Sequence, residues 1–168
     1  MPLSVAVYYD EALRGFSYME YSNTGREEIN IEGGEAHIRL FNTVLPAMFD
    51  QVISVASIED AAGQNVDAVF VPEIREFQVA LPAKTGLGVY EVWIAYNMRL
   101  LTSGGEVIAD WVLYSYGTSP YSPFRSIENG INEAALAALR EFASSDDFYS
   151  FPSSFSQVPE VRDWLNKL

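Results

Sequence analysis

Three long strands in succession, between residues 66 and 117, constrain the fold of this chain more than any other feature. The middle segment, Val89 to Leu101, alternates without a break. Its apolar set is Tyr90, Val92, Ile94, Tyr96, Met98 and Leu100, and the other set includes Glu91, Asn97 and Arg99. A period of two is typical of a strand with one buried face and one wetter face. The sequence therefore predicts a meander whose middle strand separates a core from a more exposed surface.

The other two strands of the meander are less regular. In the first, Val66 to Leu81, the spacing between Ile74 and Phe77 breaks the alternation and predicts a bulge near residues 73–76. A tight hairpin at Ser103-Gly104-Gly105 leads into the third strand, Glu106 to Gly117. Both faces of that third strand carry apolar residues, so both are expected to be at least partly covered.

Helical periodicity occurs on each side of the meander. Residues 35–49 and 126–142 carry apolar side chains at spacings of three and four, and the second helix has small alanines on its apolar stripe. Short strands are predicted at 4–9 and 51–57, a turn at 22–25, a terminal helix at 159–168, and loops at 59–65, 118–125 and 144–157. The expected fold is a single α+β domain over residues 1–168, with a mixed, mostly antiparallel sheet and two main helices on one face.

Composition excludes several classes of function. The chain holds 23 acidic and 10 basic residues, a formal net charge of −13, and such a field repels phosphate backbones. Cysteine is absent, which removes disulfides, thiol nucleophiles and thiolate metal sites. The first residues carry no leader pattern, which predicts either a cytoplasmic protein or a chain from which a leader has been removed. Neither binding to nucleic acid nor direct insertion into a membrane is expected.

Residues suited to catalysis or metal binding are scarce. The one histidine, His37, lacks a second histidine or a nucleophile motif, and it is predicted to be an exposed helix residue. The acidic pairs Glu27-Glu28, Glu59-Asp60 and Asp146-Asp147 fall in predicted loops without the spacing of a calcium loop. We therefore predict no enzyme activity, no catalytic or metal-binding residues and no cofactor.

Two features remain as candidates for binding. Arg99 and Asp110 lie within strands among apolar neighbours, and they are expected either to pair across the hairpin or, for Arg99, to serve a binding site. The segment from Tyr114 to Phe124 is rich in aromatic residues, which are enriched at interfaces; it forms either a contact surface or, like Phe148 to Phe151, a lid over the sheet. The candidate partner-binding residues are Tyr114, Tyr116, Tyr121, Phe124 and Arg99.

The order strand, helix, strand, meander and closing helix resembles the soluble domains of small bacterial envelope lipoproteins. The segments that carry the likeness are Val5-Ala-Val-Tyr-Tyr9, Leu45-Pro-Ala-Met-Phe-Asp50, Asp67 to Ile74 and Glu128 to Arg140. Similar families are the lipopolysaccharide-assembly lipoprotein, the exopolysaccharide-export lipoprotein of the Pel system and the amino-terminal domain of TolB. This chain differs from the lipoproteins in having no cysteine to carry a lipid.

The resemblance implies a non-enzymatic adaptor or accessory of envelope assembly or export that acts through protein–protein contacts, with a homo-oligomer as one form of such contact. Its expected location is the periplasm, anchored to the outer membrane by a lipid if a lipidated leader was removed, and otherwise the cytoplasm. The alternative is a domain that binds a small ligand or glycan in an apolar pocket between helix and sheet, lined by Tyr90, Tyr96 and Trp111.

Overall fold

A computed structural model describes residues 1–21, 27–144 and 151–168. The strands are β1 (Ser4–Val7), β2 (Ser17–Tyr21), β3 (Glu27–Glu32), β4 (Gln51–Ser54), β5 (Ala68–Ala80), β6 (Val89–Thr102) and β7 (Val107–Pro120). The helices are α1 (Glu11–Arg14), α2 (Gly34–Met48), α3 (Pro82–Thr85), α4 (Ile127–Ala143), α5 (Phe151–Phe155) and α6 (Pro159–Leu165), with a 3₁₀ helix at Glu59–Gly63.

The main sheet has five strands in the order β4-β1-β5-β6-β7, and β2 pairs with β3 in a separate antiparallel hairpin. β1 runs parallel to both of its neighbours, whereas β5, β6 and β7 form an antiparallel meander. The predicted α+β class with a mixed sheet and a three-strand meander is confirmed.

The meander keeps the two faces of the sheet distinct along its whole length. In β6 the predicted apolar set is buried and faces the helices, with Ile94, Tyr96 and Met98 fully enclosed. The predicted bulge is present in β5, where Ile74 pairs with Tyr96 and Glu76 pairs with Ala95, leaving Arg75 between them. The bulge returns Phe77 to the side of the core after the break in alternation.

The main core lies between this face and the helices α2 and α4. Phe41 of α2 and Phe142 of α4 both pack against Tyr96, with ring centroids 5.5 and 4.7 Å apart. α4 sits very close to β7 at Gly117, where an added Cβ would come within 2.2 Å of the backbone at Ala134 and Ala138. The small residues predicted on the apolar stripe of this helix therefore allow its direct contact with the sheet.

By the described residues, the opposite face of the sheet is covered at one end alone. A smaller cluster of buried residues lies there, near the 3₁₀ helix: Ala6, Val55, Ala61, Val69, Val71 and Leu101. The rest of that face, across the distal part of the meander, carries exposed side chains such as Trp93 and Tyr114. We call this uncovered area the outer face.

His37 contradicts the prediction of an exposed residue, because its side chain is only 3% exposed. Its Nδ1 lies 2.5 Å from the hydroxyl of Tyr96, and its ring meets Phe16 edge to face. Burial lowers the pKa of His37 to about 4, so the imidazole is neutral at pH 7. His37 is thus a hydrogen-bonded member of the core, with a hydroxyl partner that the sequence did not reveal.

The residues predicted to line a pocket between helix and sheet are packed instead. Tyr96 is fully buried among aromatic rings, and Tyr90 lies so close to Gly130 of α4 that a Cβ there would meet its ring at 2.3 Å. Trp111 contacts Phe155 of α5, with ring centroids 6.0 Å apart. These three rings are part of the core and its edge.

Several predicted loops contain regular structure. The segment 59–65 holds the 3₁₀ helix, 144–157 holds α5, and the predicted loop at 118–125 begins with the last three residues of β7. Glu27 and Glu28 belong to β3 rather than to a loop. The predicted turn at 22–25, the acidic pair Asp146-Asp147 and residues 148–150 of the predicted lid lie outside the described residues, whereas Phe151 begins α5 and is buried.

Candidate partner-binding surface

Three aromatic side chains lie exposed on the outer face, and we call them the outer aromatic patch: Trp93, Tyr114 and Tyr116. Their exposed fractions are 38%, 68% and 36%. Trp93 pairs across the strands with Tyr116, and the neighbouring pair is Ala95 with Tyr114. Because these residues occupy consecutive cross-strand pairs on one face, the patch is continuous and rests on a paired backbone.

Two rings of the patch, Trp93 and Tyr114, line a small hollow. The ring centroids of Trp93 and Tyr116 lie 5.1 Å apart at an interplanar angle of 37°. Beside them is a depression of about 230 Å³, lined by Glu76, Gln78, Trp93, Ala95 and Tyr114. The surface thus combines apolar rings with a carboxylate and an amide, the mixture that suits a specific contact.

Tyr116 is held in place by a carboxylate that is itself buried. Its hydroxyl donates a hydrogen bond of 2.7 Å to Oε1 of Glu91, whose residue is only 8% exposed. This hydrogen bond, with smaller effects of burial and of the charges on Glu91 and Glu141, raises the pKa of Tyr116. The phenol therefore remains a donor at neutral pH, and the ring is fixed before any partner arrives.

Arg99 also belongs to the outer face, but its charge is already bound. Its Nη1 lies 2.8 Å from Oε1 of Glu73, and Asn97 donates to the other oxygen of the same carboxylate at 3.2 Å. Asp110 is the cross-strand partner of Arg99 in the register, as predicted, yet the ion pair is formed with Glu73 on the opposite neighbouring strand. The expected Arg99–Asp110 ion pair is therefore wrong, although the register behind it is right.

The structure divides the predicted partner-binding residues into two groups. Tyr114 and Tyr116 lie on β7, on the same face as Arg99. Tyr121 and Phe124 follow the end of β7, and the Tyr121 ring lies 6.3 Å from that of Tyr90, a residue of the helix-covered face. Phe124 is 98% exposed. The two groups thus do not form one surface.

Trp93 was not among the predicted residues, although the sequence holds the signal for it. It has the same parity in β6 as Glu91, Asn97 and Arg99, which were assigned to the wetter face. A tryptophan at a solvent-facing position of a strand is the sequence signal from which the outer aromatic patch can be predicted.

The patch lies beside an open edge of the sheet. β7 ends the strand order, so among the described residues its second edge has no strand partner along its 14 residues. A long edge strand offers backbone donors and acceptors to another chain. At the other end of the sheet, the edge strand β4 has 4 residues.

No group of three or more histidine, aspartate or glutamate side chains placed to hold a metal ion occurs in residues 1–21, 27–144 and 151–168. The acidic pair Glu59-Asp60 lies exposed at the start of the 3₁₀ helix. Within the same ranges, every helix is too short or too polar to span a bilayer.

Comparison with known proteins shows likeness in architecture alone. No protein-family model matches this sequence, and no curated protein is significantly similar to it. Among solved structures, the hypothetical protein CT253 from Chlamydia trachomatis is similar over 99% of this chain and 95% of its own, with 13% identity and a TM-score of 0.43.

One further structure is of a lipoprotein, and another is of PelC, from the Pel system named in the resemblance above. A minor lipoprotein from Acinetobacter baumannii is similar over 100% of this chain and 95% of its own, at 9% identity and a TM-score of 0.43. A PelC dodecamer from Paraburkholderia phytofirmans covers 82% of this chain and 89% of its own, at 17% identity and a TM-score of 0.38. Lipoproteins are thus again among the proteins that this chain resembles, at a level of similarity that assigns no activity and no partner.

Proposed function

We propose that this chain is a non-catalytic adaptor or accessory domain of the bacterial cell envelope, which acts in assembly or export through protein–protein contacts. The observation that carries the proposal is the outer aromatic patch, in which Trp93, Tyr114 and Tyr116 stand exposed on a rigid sheet. Exposed aromatic side chains that are held in place by their surroundings are the usual anchors of a protein interface.

The surroundings of the patch favour a protein partner. The rings of Trp93 and Tyr116 contact one another, so little side-chain entropy is lost when a partner covers them. The open edge of β7 runs directly beside Tyr114 and Tyr116, and a partner strand could pair there while its side chains cover the rings. The partner surface should be apolar at its centre, with donors at the rim that meet Glu76.

The envelope setting of the proposal comes from the resemblance of the sequence to envelope lipoprotein domains. In that setting the domain works in the periplasm, and a lipid anchor would hold it at the outer membrane. The net charge of −13 favours partners with basic surfaces and disfavours direct adsorption to anionic lipid. Self-association is one form that the contact could take.

The test uses a photo-crosslinking amino acid at position 93 or 114 in the cells that naturally produce the protein. Crosslinks should form at both positions, and they should be lost when the other residue of the pair is replaced, as in Tyr114→Ala with the probe at position 93. Sedimentation velocity of the purified chain then shows whether the crosslinked partner is a second copy.

The matched control is position 124. Phe124 is more exposed than either residue of the test pair, but it lies beyond the end of β7. A probe there should give no specific adduct. Equal crosslinking at 93, 114 and 124, or an adduct at position 93 that survives Tyr114→Ala, would contradict the assignment of the outer aromatic patch.

A further inference from the structure

A second candidate surface lies on the other side of the molecule, where α2 and α4 leave a groove between them. Two cavities of about 250 and 210 Å³ lie along it. They share four lining residues, Ala36 and Arg39 from α2 and Leu136 and Leu139 from α4. The two cavities therefore form one continuous interhelical groove with a largely apolar floor.

The inner end of the interhelical groove has apolar walls and one buried polar group, with the exposed Glu32 and Asn132 also lining it. Phe16, Ile31 and Phe77 line it, together with His37. Since Nδ1 of His37 is bound to the Tyr96 hydroxyl, the free ring nitrogen is Nε2, which lies 3.5 Å from where a Cβ of Gly33 would be. Gly33 lines the same cavity. A fixed, nearly fully buried polar group in an apolar cavity is the usual composition of a small-ligand site.

The outer end of the interhelical groove is positively charged, in a protein that is otherwise acidic. Arg39 and Arg140 line the same cavity from opposite helices, although the chain has 10 basic residues against 23 acidic ones. Arg39 has a salt bridge with Glu35 at 3.6 Å, but both side chains are largely exposed, so this pair holds it weakly. Two arginines that converge on an apolar groove complement an anion attached to an apolar body.

The dimensions of the groove decide what kind of body fits. Cavities of about 250 and 210 Å³ are smaller than the roughly 300–1,000 Å³ of usual ligand pockets, so the groove has room for a slender molecule rather than for a folded segment. A single hydrocarbon chain is such a molecule. We propose that the interhelical groove binds a medium-chain carboxylate, with its hydrocarbon chain in the inner cavity against Phe16 and Phe77 and its carboxylate against Arg39 and Arg140.

The test is a titration of the full chain with decanoate, followed by calorimetry and by NMR. His37 is the single histidine of the chain, so its ring resonances need no assignment and report directly on the inner cavity. Saturable one-to-one binding should shift the His37 resonances and leave the indole resonances of Trp93, on the outer face, unchanged. Decyltrimethylammonium, which has the same chain and the opposite charge, should not bind.

Variants separate the two halves of the site. Arg39→Gln combined with Arg140→Gln should weaken binding about tenfold or more, because hydrogen bonds to a charged head group are lost. Arg162→Gln, on the exposed side of α6, is the matched control and should bind as the wild type does. Ala36→Phe should block the groove and abolish binding.

If Ala36→Phe does not fold, a milder change tests the same wall of the groove. Leu136 is 45% exposed, so Leu136→Asn should fold normally and still weaken binding. The proposal is overturned if decanoate gives no saturable shift of His37, if the cationic chain binds equally well, or if the double arginine variant and Leu136→Asn both bind as the wild type does.

Discussion

The two faces of the meander are built from the same strands but differ in burial. On the helix-covered face the alternate residues are buried or half-buried, and α4 touches the sheet backbone at Gly117. On the outer face the alternate residues of the same strands include Trp93, Tyr114 and Tyr116, which are left to solvent. A period of two along a strand can therefore separate the residues that determine the fold from those available for contact. Changes on the first face should be measured in stability, and changes on the second in association.

The largest effect is expected from the protonation of His37 on the covered face. Its folded pKa is about 4 and its unfolded pKa about 6.5, so between these values the unfolded chain binds a proton that the folded chain does not. The stability that this residue contributes is complete above pH 6.5 and is lost as the pH falls towards 4, by about 3 kcal/mol. Denaturant unfolding of the wild type and of His37→Gln at pH 7 and pH 4 measures the difference between the two proteins. An equal loss of stability in both would mean that His37 is not buried as described.

A slightly smaller effect is expected from disturbing the contact between α4 and the sheet at Gly117. Gly117→Ala places a methyl group against the backbone at Ala134 and Ala138, which can yield only if the helix shifts. We expect a loss of about 2 to 3 kcal/mol in the free energy of unfolding. Gly63→Ala is the matched control, because nothing lies within 4 Å of a Cβ at that position. If both variants unfold at the same denaturant concentration, α4 does not rest on Gly117.

The smallest effect is expected on the outer face, at the hydrogen bond from Tyr116 to the buried Glu91. Tyr116→Phe removes the donor to the Glu91 carboxylate, so we expect a loss of about 1 kcal/mol. Tyr114→Phe removes the hydroxyl of the more exposed neighbouring tyrosine and should leave the free energy of unfolding unchanged. Denaturant unfolding of the pair at pH 7 decides between them. If Tyr114→Phe lowers the free energy of unfolding as much as Tyr116→Phe does, exposed side chains of the outer face also stabilise the fold, and the proposed difference between the two faces is wrong.

Local patterns in the sequence predicted most of the fold. The alternation in Val89 to Leu101 identified the covered face of β6, and the spacing of Ile74 and Phe77 located the bulge. Both are properties of neighbouring residues on one strand. The end of β7 was missed because Thr118 and Ser119 have the composition of a loop, whereas pairing with β6 keeps the backbone extended as far as Pro120.

The candidate site depended more on contacts between distant segments. The burial of His37 requires Tyr96, which is 59 residues away, and no local pattern indicates that pair. Arg99 has acidic residues on both neighbouring strands, and its choice of Glu73 over Asp110 follows from the register of β5, which the sequence does not specify. Tyr114 and Tyr116 were predicted from composition alone, and their grouping with Trp93 follows from the pairing of β6 with β7.

The bulge in β5 has a consequence for comparing this chain with its relatives. Before Arg75 the even-numbered residues of β5 face the helices, and after it the odd-numbered residues Phe77 and Val79 do so. A relative that lacked this one residue would continue the alternation without a break and would present the same side chains to each face. An alignment gap at position 75 is therefore compatible with an unchanged fold, whereas a gap at Asn97, within the regular part of β6, would exchange the two faces along the rest of the strand.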